Sequence, residues 1–61
     1  MTVKDVIELT SCAMRINLWK EYSVERTDYS LLNENQLEEL VQREAIMIQC
    51  TNAEEIEIYY K

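Results

Sequence analysis

Twelve Asp and Glu side chains, two cysteines and no histidine set the chemistry open to this 61-residue chain. Paired carboxylates can act as general acid and base, but without histidine there is no Ser-His or Cys-His nucleophile pair and no imidazole base. Most of the acidic residues fall at positions where the pattern predicts an exposed helix or strand face. A sheet this small also leaves little volume for a pocket of the usual size, about 300 Å³ or more. We expect no catalytic residues and no enzyme. Cys12 and Cys50 are the only thiols, and with no closely spaced cysteine pair and no histidine they make no metal site. The start Met1, Thr2, Val3, Lys4, Asp5, Val6 lacks the basic then apolar pattern of a signal peptide, which points to a reducing compartment and free thiols. Both cysteines then serve as small hydrophobes, Cys50 on an apolar strand face and Cys12 at a helix-strand junction.

Glycine and proline are both missing. That removes every glycine-built phosphate loop, because close approach of backbone to phosphate needs a residue without Cβ. No cofactor is expected, and turns must rely on Asn, Asp, Ser and Thr.

The net charge of −6 is unevenly placed. Residues 1–30 hold four basic and five acidic side chains, whereas residues 31–61 hold two basic and seven acidic. Such a chain is repelled by nucleic acid and by anionic membranes and is suited to a basic surface. No apolar run approaches the roughly 18 residues of a membrane span. The acidic surface of Glu34, Glu38, Glu39, Glu54 and Glu55, extended by Glu44 and Glu57, has two readings. It is an imitation of a nucleic-acid phosphate array, or a solvated helix face beside a charged hairpin turn that also discourages edge pairing.

The elements that must position these groups follow from periodicity. Thr2 with Asp5 three residues later forms a capping box for a helix over Val3 to Ser11, with Val3, Val6 and Ile7 on one face. Ala13 to Lys20 alternates as a strand, Met14, Ile16 and Leu18 against Arg15, Asn17 and Trp19. Glu21 to Tyr29 suits a more polar edge strand or a loop. Asn33 caps a second helix with Gln36 at the capping-box position and Leu37, Leu40 and Val41 as its stripe. Arg43 falls in its last turn, paired with Glu39. Ala45 to Lys61 is a hairpin: Ile46, Ile48 and Cys50 alternate with Met47 and Gln49, Thr51 to Glu54 form a polar break, and Ile56, Ile58 and Tyr60 alternate with Glu55, Glu57 and Tyr59.

The order α-β-β-α-β-β predicts a single α+β domain over residues 1–61. Its form is a two-layer sandwich, a four-stranded antiparallel sheet with two helices on one face. The helix stripes are expected to cover Met14, Ile16, Leu18, Ile46, Ile48, Ile56 and Ile58. The opposite face then carries Arg15, Asn17, Trp19, Met47, Gln49, Glu57 and Tyr59, a mixture typical of an association surface. A chain this short buries only about 60% of its unfolded surface. A second copy is the expected supplement, and whether it meets the sheet face or a strand edge stays open at this point.

The stretch Thr2 to Leu9 leading into a strand, and Gln36 to Glu44 leading into the hairpin from Ile46, resemble small proteins encoded by bacteriophages and prophages of Gram-positive bacteria. Size and layout are similar to the phage anti-defence proteins that block the Hachiman antiviral system, which form homodimers. The resemblance spans most of the chain, and it departs where the glycine expected after the first hairpin is missing, within residues 22–32. It implies a non-enzymatic inhibitor acting as a homodimer in the cytoplasm of a bacterial host, with a host defence protein as target. The alternatives are an acidic nucleic-acid mimic in the basic groove of a host DNA- or RNA-binding protein, or a generic accessory interaction module.

Overall fold

The computed structural model describes residues 1–10 and 14–61. Helix α1 (Val3–Leu9) begins with the predicted capping box: the Asp5 N–H donates to Thr2 Oγ1 at 3.3 Å, and the Thr2 N–H donates to Asp5 Oδ2 at 3.0 Å. It ends earlier than expected, at the extended residue Thr10. Ser11, Cys12 and Ala13, with the expectations placed on them, lie outside the described residues.

After α1 come β1 (Arg15–Lys20), β2 (Arg26–Asp28), a 3₁₀ turn at Tyr29–Leu31, α2 (Glu34–Leu40), β3 (Ala45–Asn52) and β4 (Glu55–Tyr60). The α+β class, the two helices and the four strands agree with the sequence. The all-antiparallel sheet does not. Strand order is β2-β1-β4-β3, and the central pair β1 and β4 runs parallel. Arg15 N–H donates to the Glu54 carbonyl at one end of that pair (2.8 Å) and Glu21 N–H to the Tyr60 carbonyl at the other (2.7 Å). Two antiparallel hairpins lie side by side, and the chain between them crosses over through α2, which sets their inner strands parallel. Side-chain alternation is the same in either direction, so it carried no sign of this.

The edge strand expected over Glu21 to Tyr29 shrinks to the three residues of β2. Before it, Tyr22 takes a left-handed conformation with φ of 64° in a turn that has no glycine or asparagine to occupy that position. The second hairpin turn is also tighter than expected: β3 continues through Thr51 and Asn52, and Asn52 Oδ1 accepts the Glu54 N–H at 2.7 Å.

The core consists of Val3 and Val6 of α1, Ile16 and Leu18 of β1, and Ile56, Ile58 and Tyr60 of β4, all buried, with Leu40 of α2 packed against them. Both helices therefore lie on one face of the sheet. Burial of Ile16, Leu18, Ile56 and Ile58 and partial burial of Met14 agree with the expected cover. Ile46 and Ile48 do not: they are 47% and 46% exposed. Cys50, aligned with Ile56 on the same face, is exposed as well, not buried as expected.

The reason is the length and placement of α2. Its capping box forms as predicted, with Gln36 N–H donating to Asn33 Oδ1 at 2.9 Å and Asn33 N–H to Gln36 Oε1 at 3.2 Å. The helix then stops at Leu40, so Arg43 lies beyond its last turn, although it still pairs with Glu39 at 2.7 Å. Past the helix end, the carbonyls of Val41 and Arg43 accept the N–H groups of Lys4 (3.0 Å) and Val3 (2.9 Å), the first amides of α1. Orphan acceptors after one helix satisfy orphan donors of the other, and the two dipoles meet head to tail. This junction fixes α2 over the end of the sheet near Lys20, Thr27 and Tyr60, across a gap of about 250 Å³. On β3, among the described residues, only Ala45, at its first end, packs against the core, and Ile46, Ile48 and Cys50 stay exposed.

Candidate interaction face

The side chains on the sheet face away from the helices follow from the register. Across β1 and β4, Arg15 aligns with Glu55, Asn17 with Glu57 and Trp19 with Tyr59; across β4 and β3, Glu57 aligns with Gln49 and Tyr59 with Met47. Aligned residues share a face. The structure thus brings together all seven residues read from the sequence: Arg15, Asn17, Trp19, Met47, Gln49, Glu57 and Tyr59.

Glu57 is the hub. One oxygen accepts the indole N–H of Trp19 at 2.6 Å, and the other accepts Asn17 Nδ2 at 3.3 Å and the Thr51 hydroxyl at 3.1 Å. Asn17 Nδ2 also donates to Glu55 at 3.2 Å, and Arg15 stands 3.8 Å from the other Glu55 oxygen. The rings of Trp19 and Tyr59 stack with centroids 6.1 Å apart and planes 18° from parallel. A stacked aromatic pair beside a carboxylate whose lone pairs are largely committed gives a fixed surface that offers apolar area with a polar border.

Asn17 is fully buried within this layer, and its Oδ1 has no hydrogen-bond partner among the described residues. The two carboxylates that Nδ2 faces fix the orientation of the amide. The sequence placed Asn17 on this face but carried no sign that its neighbours would close over it.

Sequence reasoning missed the contribution of β2. Asp28 aligns with Asn17 and Arg26 with Trp19, which adds both to the same face. The alternation of Arg26 and Asp28 was visible, but their placement needed the pairing with β1. The Ser30 hydroxyl (2.8 Å) and then the Ser30 N–H (3.0 Å) hold the Asp28 carboxyl below the ordinary value of 3.8. Thr51, expected in a loop, joins this face because β3 runs further than its pattern suggested.

The acidic surface does not form one array. Glu34, Glu38 and Glu39 are exposed on α2, on the helix side of the sheet; Glu54 is in the hairpin turn; Glu55 lies on the opposite face beside Arg15.

A depression of about 960 Å³ opens at the end of the sheet, larger than the sequence reading allowed, and among the described residues Ile7, Thr10, Met14, Asp28, Tyr29 and Glu54 contribute to its wall. Among those residues no cluster of acidic or cysteine side chains has the arrangement of a metal site, and no helix is long and apolar enough to cross a membrane.

Compared with family models, curated proteins and solved structures, the chain matches none of them.

Proposed function

We propose that this protein is a non-enzymatic inhibitor of phage origin that binds and blocks a component of a bacterial antiviral defence system in the host cytoplasm, acting as a homodimer. The observation that supports a binding role is the face built on Trp19, Tyr59 and Glu57. It is an ordered aromatic and carboxylate surface on the side of the sheet that neither helix covers. Ordering side chains before contact lowers the entropy cost of association, and Trp and Tyr are the residues that most often dominate interface energies. The phage-inhibitor part of the reading rests on the resemblance of Thr2 to Leu9 and Gln36 to Glu44.

A nucleic-acid mimic calls for a continuous line of carboxylates, and the acidic groups here are divided between two sides of the sheet. The protein-surface reading is therefore preferred. The test is expression in bacterial cells carrying different antiviral systems, followed by phage challenge. The expected result is relief of one defence by the wild type and loss of that relief in Tyr59→Glu, with the fold retained. If the panel shows no relief from any defence, the reading is wrong.

A further inference from the structure

The two edges of the sheet are unlike. β2 is three residues long and carries Arg26 and Asp28, a short charged edge of the kind that resists pairing. β3 is the longest strand, eight residues, and holds no charged side chain in a chain where 30% of residues are charged. Its first end is closed: Ala45 N–H donates to the Met1 carbonyl at 2.9 Å, and Thr2 bridges Glu44. Beyond Ala45 no strand lies outside it among the described residues.

The direction of each main-chain group on β3 follows from anchored bonds. The carbonyls of Glu54 and Tyr60 both face β1, so by alternation Ile56 and Ile58 face β1 while Glu57 and Tyr59 face β3. The partners of those last two, Gln49 and Met47, therefore turn inward, and Ile48 and Cys50 turn their N–H and C=O groups outward. The register irregularities at Ala45/Met47 and Cys50/Asn52 bracket this short regular stretch.

We infer that the homodimer forms by antiparallel pairing of β3 with β3 of a second copy, about a two-fold axis at Gln49. This inference rests on the homodimer reading above and locates its interface. Only the register centred on Gln49 sets Ile48 opposite Cys50 of the second copy and Cys50 opposite Ile48, which uses every outward main-chain group of both residues. It places no charged side chain against another, so the net charge of −6 on each copy does not oppose the contact where the chains touch. Half-exposed Ile48 and exposed Cys50 gain apolar neighbours from the second copy on the helix side. The product is one eight-stranded sheet with both Trp19–Tyr59 faces on the same side, which presents two equivalent faces to a target.

Sedimentation and directed cross-linking of the full chain test this. The wild type is expected to sediment as a dimer at micromolar concentration, and Ile48→Lys to weaken it about tenfold or more. In a Cys12→Ser, Cys50→Ser background, Gln49→Cys is expected to form an interchain disulfide on mild oxidation, because opposed residues of a non-hydrogen-bonded pair lie within disulfide reach. Thr27→Cys on β2 in the same background should not. A folded wild-type monomer overturns the inference. So does a dimer that leaves Cys-substituted position 49 uncross-linked and is broken by Trp19→Glu, which assigns the interface to the sheet face. A monomer that still relieves defence refutes the homodimer and with it the edge pairing but leaves the inhibitor reading standing, whereas a cross-linked dimer without any anti-defence activity refutes the inhibitor reading alone.

Discussion

The indole N–H of Trp19 donates to Glu57 at 2.6 Å, a bond that joins the two central parallel strands on the face away from the helices. Both residues lie on strands whose other faces form the core, so the arrangement of this surface is tied directly to the packing beneath it.

Glu57→Ala removes the acceptor of Trp19, Asn17 and Thr51 together. The buried Asn17 Nδ2 then keeps only its Glu55 acceptor. We expect a loss of about 1–3 kcal/mol, read as a lower urea midpoint with an unchanged slope. Glu57→Gln keeps an acceptor oxygen and should lose less, and the emission of the single Trp19 should shift in both variants.

The burial contrast between neighbours on β4 and β3 predicts a second difference. Ile58 is fully buried, and Ile58→Ala should cost about 2–5 kcal/mol. Ile48, aligned with it across the hairpin but 46% exposed, should cost only about 1 kcal/mol in the monomer when changed to Ala. Equal losses at concentrations where the protein is monomeric would mean that α2 or another element of the same chain covers β3 in solution.

Tyr22 is 98% exposed and sits at a φ of 64°. Tyr22→Gly gives up no packing and relieves a conformation that disfavours residues with a Cβ by about 1 kcal/mol or more. The larger freedom of glycine in the unfolded chain offsets part of that gain. A small rise in melting temperature is expected, and a fall would show that the turn is shaped differently.

Acid should weaken the fold through two aspartates. The Thr2 N–H, and after it the Thr2 hydroxyl, hold the Asp5 carboxyl below the ordinary value of 3.8, and Ser30 does the same for Asp28. A carboxyl lowered in the folded state contributes stability that is complete above its unfolded value and is lost as pH falls through the folded one. The urea midpoint should therefore drop as pH falls below 3.8, less steeply in Asp5→Asn. An unchanged slope in that variant would remove Asp5 from the account.

The features legible in the sequence are the local ones. Thr2 with Asp5 and Asn33 with Gln36 are capping boxes separated by three residues, and both form as read. Alternation of Ile16 and Leu18 against Asn17 and Trp19 fixes which side chains share a face, so the seven residues of the open face were found together. The parallel pairing of β1 with β4 was not legible, since direction leaves no mark on alternation. Nor was the stop of α2 at Leu40, which depends on the distant amides of Val3 and Lys4 taking up the carbonyls beyond it. The exposure of Ile46 and Ile48 follows from that stop, whereas the free edge of β3 follows from its place at the end of the strand order.

Amide hydrogen exchange of β3 as a function of concentration tests that edge most directly. The N–H groups of Ile48 and Cys50 face outward, whereas those of Met47 and Gln49 bond to β4. Pairing predicts that Ile48 and Cys50 are protected at concentrations where the protein is dimeric and exchange faster on dilution, with Met47 and Gln49 slow throughout. Fast exchange at Ile48 and Cys50 that does not respond to concentration would contradict it.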